Sequence, residues 1–250
     1  MRAEIITIGD ELLIGQVVDT NSAWMAQRLN ETGVELYEIV SVHDDKRQIM
    51  EALDTAFRHA DVVITTGGLG PTKDDITKQV LCEYFHTTLV PNREVEEHVK
   101  ELYKNRPEVL NRLTATQWLV PENAQILPNR VGSAPLMYWP NNGHALFCLP
   151  GVPREMEVAM TEQVLPRLHS DTEIIHRMLT VSGIPESALA IELEEWESQL
   201  PEGMKLAYLP QPDKRQINLR LSSYGACSAQ KVDEEFAKLQ FLVRTYRVIR

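Results

Sequence analysis

The feature that most limits how this chain can fold is the run Asp61-Val62-Val63-Ile64-Thr65-Thr66, which passes straight into Gly67-Gly68-Leu69-Gly70. So short and so continuously apolar a run fits a parallel strand covered on both faces. Strand and helix periods alternate around it. Glu4 to Ile8 is β-rich and stops at Gly9-Asp10. Trp24, Met25 and Leu29 then recur at helical spacing within 21–29, with Gly33 as the terminator. Val34 to Val42 reads as a second strand, and Arg47 to His59 as a helix with Ile49, Leu53, Ala56 and Phe57 on one face. Asp74 and Asp75 are placed at the start of the next helix, which runs toward Phe85, where carboxylates complement the helix dipole.

From Pro91 to Trp118 the pattern predicts two helices parted at Pro107. Short extended pieces follow at Ile126 and at 137–139. Asn142-Gly143 reads as a hairpin turn leading into a strand over 145–149. Pro153 sits where an N1 proline belongs, opening a helix to about Leu168. This succession predicts a doubly wound α/β sheet over residues 1–169. The boundary is expected near His169-Ser170-Asp171. Strand, helix, two strands (205–208 and 216–222) and a helix from near Ser228 then predict a small α+β domain over 170–250. The chain stops at Arg250 in or just after an apolar stretch, so it is expected to be a piece of something longer.

Charge narrows the function. With 25 Lys plus Arg against 36 Asp plus Glu, the net charge is −11. Nucleic-acid affinity rests on neutralising phosphates, so this balance argues against nucleic acid or an acidic membrane as the main partner. Small anions stay open, provided backbone amides and a metal do the work locally. No stretch reaches the ~18 apolar residues of a membrane span, and the apolar start is too short for a signal-peptide core. Cys82, Cys148 and Cys227 are odd in number and far apart, which points to free thiols in a reducing, cytoplasmic compartment.

In open parallel sheets ligands collect beyond the carboxyl ends of the strands, so the loops there belong together. They carry Asp10, Glu11 and, close behind, Asn21; Asp44-Asp45; Thr66-Gly67-Gly68-Leu69-Gly70-Pro71-Thr72-Lys73-Asp74-Asp75; and Gly151-Val152-Pro153-Arg154-Glu155. Gly67, Gly68 and Gly70 allow positive φ and bring amides close to an anion, Thr66 and Thr72 add hydroxyls, and Arg154 is a phosphate contact. The carboxylates would repel a bare phosphate, so a hard divalent cation between them and the ligand makes chemical sense. Metal-assisted attack of water on a pyrophosphate then follows naturally. Each feature also has a plainer explanation: a tight turn at the glycines, helix capping by the aspartate pairs, solvated loop positions for Glu11, Arg154 and Glu155. Their convergence on one rim favours the functional reading. No HExxH, GxSxG or spaced Cys/His cluster is present. Met156, Met160, Trp24 and Trp118 read as core.

At these same loops the sequence resembles a known family. Gly9-Asp10-Glu11-Leu12-Leu13-Ile14-Gly15, Thr65-Thr66-Gly67-Gly68-Leu69-Gly70-Pro71-Thr72-Lys73-Asp74-Asp75 and Leu149-Pro150-Gly151-Val152-Pro153-Arg154-Glu155-Met156 are similar to the signatures of the CinA family of competence/damage-inducible proteins. That family's N-terminal domain is related to the molybdopterin-binding domain of molybdenum-cofactor biosynthesis enzymes. The resemblance covers residues 1 to about 168, with weaker motif support beyond. It implies a three-layer α/β/α domain with a mostly parallel sheet, and a homodimer. It further implies metal-dependent hydrolysis of ADP-ribose to AMP and ribose 5-phosphate, with Mg²⁺, Mn²⁺ or Co²⁺ as the cation. Asp44 and Asp75 match carboxylate positions beside the glycine loop. Together with Glu11 they are the expected catalytic groups, and with Asp10 and Asp74 the expected metal ligands. The nicotinamide mononucleotide deamidase domain of many relatives has no match here. Leu136 stands where the family has a glycine, which bears on the shape of the Gly132-Ser133-Ala134-Pro135 loop. Two rival expectations are a non-hydrolytic pterin- or nucleotide-binding module and an interaction scaffold for competence proteins, the latter resting on the small domain and its 246–250 end.

Overall fold

The computed structural model describes every residue except 142, 143, 169, 171, 172, 249 and 250. The chain divides into two compact units, residues 1–169 and 170–250. In chain order the first contains β1 (Arg2–Ile8), the single turn α1 (Asp10–Leu13), α2 (Thr20–Glu31), β2 (Glu35–Val42), α3 (Lys46–His59), β3 (Val62–Thr66) and α4 (Thr77–Tyr84). It continues with β4 (Leu89–Pro91), α5 (Arg93–Leu102), β5 (Leu119–Pro121), β6 (Gln125–Leu127), β7 (Leu136–Asn141), β8 (His144–Leu149) and α6 (Pro153–Ala159).

Six strands form one sheet in the order β2-β1-β3-β8-β7-β6. The pairs from β2 through β8 are parallel, and β7 and β6 complete an antiparallel edge. β1 and β3 are central, which explains their mostly apolar character: every residue from Ala3 to Ile8 and from Val62 to Thr66 is buried, Glu4 and the threonines included. Alternation then sorts side chains to two cores. Ala3 and Ile5 pack with Met25 and Leu29 of α2 and Met156 and Met160 around α6. Ile6 and Ile8 pack with Ile49, Leu53 and Ala56 of α3 and Val80 and Leu81 of α4. The result is a three-layer α/β/α domain.

Three details differ from the sequence expectation. Between Pro107 and Trp118 there is no second α-helix, only 3₁₀ turns at 107–109 and 114–118, and Trp118 is half-buried outside the core. α6 is shorter than expected, widening to a π-turn at 160–164 before a 3₁₀ turn containing Pro166. Leu136 does not shape a ligand loop; it opens β7 and is buried in the α2/α6 core. The expected Asn142-Gly143 turn lies outside the described residues, although β7 and β8 pair antiparallel up to Asn141 opposite His144.

The second unit has β9 (Ile174–Ser182), α7 (Glu186–Ser198), β10 (Met204–Gln211), β11 (Gln216–Tyr224) and α8 (Ala229–Leu242). Its antiparallel sheet runs β10-β11-β9, with Leu189, Leu193 and Leu239 of the two helices against Val181 and Leu219. Ser228 caps α8 by accepting from the Lys231 amide. Among the described residues no helix is long and apolar enough to cross a membrane.

Candidate functional site

The carboxyl ends of β1, β3 and β8 open onto a cleft of about 360 Å³ within the first unit. Its walls bring together Glu11, Asp44, Gly67, Gly68, Gly70, Asp74, Asp75, Gly151 and Glu155, all singled out by sequence. Ile8, Gly9, Leu69, Gln117, Ser133 and Ala134 line it as well.

The glycine loop is held by two constraints. Gly67 and Gly68 have φ of 111° and 63°, a region that side chains rarely adopt. Space forbids a side chain too: a Cβ on Gly67 would lie 2.0 Å from the Ile8 carbonyl oxygen, and one on Gly68 would lie 2.1 Å from Thr77 Oγ1. Gly70 corrects the expectation, because its φ is not positive. It is a glycine because the Asp75 carboxylate presses against it, 2.4 Å from where a Cβ would stand.

Asp75 is the organiser of this loop. Its carboxylate accepts from the Gly70 amide (2.8 Å), the Thr72 amide (2.9 Å) and Thr72 Oγ1 (2.6 Å). The same hydroxyl lies 2.5 Å from Asp74, and this bond holds the Asp74 carboxyl below its ordinary pKa. α4 begins only at Thr77, so Asp74 and Asp75 precede the helix rather than sit in its first turn. The parallel pair Asp44-Asp45 divides its labour differently. Asp45 caps α3 by accepting from the Gln48 amide, while Asp44 turns into the cleft and accepts from the Asp10 amide at 3.1 Å. Burial pushes the Asp44 carboxyl up; the Asp10 amide opposes this, and the charges of Asp10, Glu11 and Asp75 add to it. Asp10 itself stays outside the lining, bonded to His43 Nδ1 at 2.8 Å.

The amide cradle differs from the expected one. Gly67 donates its N–H to Leu149 O, and Gly70 donates to Asp75. Among the described residues, the amides of Gly68 and Leu69 have no hydrogen-bond partner. These two, rather than the set of three glycines, are the loop amides left without an acceptor.

Thr66 and Asn21 work underneath the cleft. Thr66 Oγ1 donates to Pro150 O (2.7 Å), and Asn21 Nδ2 donates to Gly151 O (2.8 Å), tying β3 and α2 to the loop after β8. Both border an adjoining hollow of about 100 Å³. Thr72 is spent on Asp74 and Asp75, and Arg154 is exposed and outside the lining. Of the expected metal ligands, Asp44, Asp74 and Asp75 share the cleft and Asp10 does not, and they do not converge: among the described residues, no three rim carboxylates come within 4.8 Å of one another.

Three groups escaped sequence reasoning. Gln117 is 1% exposed and lines the cleft, and its Oε1 has no hydrogen-bond partner. Lys78 is 2% exposed, donates to Thr116 O at 2.6 Å and feels the Asp75 charge; burial pulls its pKa down to about 8. Asn129 donates to both Ala134 O and Glu155 Oε2, and Glu155 lies so close over Gly132 that a Cβ there would overlap its carboxylate at 1.8 Å. Lys78 stands one turn after Asp74-Asp75, a spacing that could have marked it. Gln117 and Asn129 carry no such signal.

Residues 4–170 match the family described as "Probable molybdopterin binding domain". The chain is 42% identical to a CinA-like protein of Flavobacterium psychrophilum, over 99% of this chain and 58% of that one. It is 43% identical to a CinA-like protein of Cytophaga hutchinsonii, over 89% and 54% of the two chains. It thus spans little more than half the length of these relatives. Among solved structures it is similar to the protein CinA, of unknown function, from Thermoplasma acidophilum. That match has a TM-score of 0.59 at 31% identity and covers 64% of this chain and 94% of that one.

Proposed function

Because the chain belongs to the CinA-like family and carries a molybdopterin-binding-type domain over residues 4–170, we propose that its rim cleft binds a phosphate-bearing pterin or nucleotide. One observation carries this reading: residues with unpartnered polar groups line this one cleft. The amides of Gly68 and Leu69 offer donors to an anion, and Gln117 Oε1 offers a buried acceptor to a ring N–H. An unsatisfied buried polar group costs about 1–3 kcal/mol, which a ligand that pairs with it recovers. A volume of about 360 Å³ falls in the range of small-molecule sites.

Hydrolysis is the finer reading. In it, water adds across the P–O–P bridge of ADP-ribose and releases AMP and ribose 5-phosphate. The donor set suits a hard cation: Asp44 and Asp75, with Asp10, Glu11 or Asp74, offer carboxylate oxygens, and burial, with the neighbouring charges of Asp10, Glu11 and Asp75 adding to it, raises the Asp44 carboxyl. One or two carboxylates plus substrate phosphates are the usual holders of Mg²⁺. A divalent cation there would screen the phosphates and acidify water. In this reading Asp44 orients that water, while Asp75, bonded to the Gly70 and Thr72 amides, keeps the loop in position. The homodimer implied by the family resemblance belongs to this reading too; the exposed Val17 and Val18 at the adjoining hollow, with exposed Ile14 nearby in sequence, favour it.

Calorimetric titration with AMP and ADP-ribose, with and without Mg²⁺, Mn²⁺ or Co²⁺, tests both levels. Binding with AMP release supports the hydrolase, binding without release supports the non-hydrolytic module, and no binding of any phosphate ligand overturns the site. Gln117→Leu is expected to weaken binding about tenfold, the loss of one buried hydrogen bond.

A further inference from the structure

The first unit buries an acidic group far along β1 from the rim. Glu4 points to the α3 side of the sheet and is fully buried, yet neither of its carboxylate oxygens has a hydrogen-bond partner. Leaving such a group without partners is costly, and native folds rarely do so without a reason. Two side chains face it. Glu38 is its register partner on β2, and His59, the last residue of α3, has Nδ1 3.9 Å from Glu4 Oε2.

We infer that Glu4, Glu38 and His59 form a binding site for a divalent first-row transition cation of the zinc type. Among the described residues they are the one group of three metal-competent side chains whose ligand atoms all lie within 4.8 Å of one another. Ligand bonds of about 2.0–2.2 Å let donors up to about 4.4 Å apart share one ion, so a small movement of the exposed Glu38 closes the set. The chemistry is selective. One imidazole with two carboxylates suits zinc-like ions, whereas Mg²⁺ prefers oxygen alone. The carboxyl end of α3 adds carbonyl dipoles that favour positive charge. Exposure of Glu38 and His59 gives the ion an entry path and room for water as a fourth ligand.

The same geometry explains the state of Glu4 without an ion. Burial raises its pKa, Glu38 adds to the rise, and His59 opposes it. A cation would reverse that balance and clamp β1, β2 and the end of α3 together. This site shares no ligand with the rim cleft and does not depend on what binds there.

The test is a Zn²⁺ titration of chelator-treated chain, followed by calorimetry and thermal unfolding, in the wild type and in Asp44→Asn/Asp75→Asn, which disables the rim carboxylates. Both are expected to bind one equivalent through this site and to gain thermal stability, since binding only the folded state stabilises it. His59→Gln, at an exposed position, is expected to lower that affinity about tenfold or more. Mg²⁺ is expected to leave this site empty. Should the rim double variant fold poorly, the His59 imidazole ¹⁵N shift on adding Zn²⁺ to the wild-type chain reads ligation directly. A Zn²⁺ response unchanged by His59→Gln, an unmoved His59 resonance, or no binding at all would overturn the inference.

Discussion

The two ends of the six-stranded sheet handle buried charge in opposite ways. At the carboxyl rim, Asp75 accepts three hydrogen bonds from its own loop, and Lys78 behind it reaches the Thr116 carbonyl. Toward the amino end, Glu4 accepts none. The rim's charges are built into the backbone geometry, so they shape the cleft whether or not a ligand is present. Glu4 shapes nothing by itself, and its environment is complete only when a proton or a cation neutralises it. A carboxylate's structural role is thus set less by its burial than by the donors arranged around it.

The largest effect should come from Gly67→Val. Positive φ and a carbonyl 2.0 Å from the new Cβ should together cost more than about 3 kcal/mol, read by urea unfolding. A tolerated valine would mean that the rim loop is not fixed by backbone geometry.

Lys78 comes next. Its pKa is about 8 when folded against 10.5 as reference, so the folded chain binds fewer protons between those values and stability rises with pH there. The penalty is fully present below pH 8, and about 3 kcal/mol is recovered by pH 10.5. Lys78→Met should remove this rise relative to the wild type; parallel curves would show that Lys78 keeps an ordinary pKa.

Asp75→Ala should cost about 1–2 kcal/mol, because its three donors are near solvent and water replaces part of what they lose. A larger cost to phosphate-ligand affinity than to stability would separate loop organisation from folding.

The smallest effect has a definite sign. Glu4 has a raised folded pKa, so the wild type loses stability as pH climbs from the unfolded carboxyl value through the folded one. Glu4→Gln lacks that loss, and without added metal it should equal the wild type in acid and exceed it at neutral pH. A neutral-pH deficit would show that Glu4 has a partner.

Much of the fold and of the site was legible. The apolar run at 62–66, the helical spacing of Met25 and Leu29, and the glycines after β3 each follow from local rules that tertiary context did not override. The two aspartate pairs show where legibility stopped. Asp44-Asp45 and Asp74-Asp75 look alike in sequence, each before a helix. Only Asp45 caps one; Asp44 faces the cleft, Asp75 folds back onto Gly70 and Thr72, and Asp74 shares the Thr72 hydroxyl. Thr66 and Asn21 looked like ligand contacts because hydroxyls and amides beside glycines suit phosphate; the Thr66 hydroxyl is spent on Pro150 O, while Asn21 donates to Gly151 O and keeps a buried, unpartnered Oδ1.

Primary structure alone fixes the α/β alternation and the rim to which glycines and carboxylates are brought, because backbone period and glycine tolerance are local properties. It could not determine which amides stay free, which carboxylate is saturated, that Gln117 would come to the cleft, or that Lys78 would be buried within reach of the Asp75 charge. Nor could it show that Glu4, Glu38 and His59 meet. Those outcomes depend on strand register and helix docking between residues tens of positions apart, and only the assembled sheet fixes them.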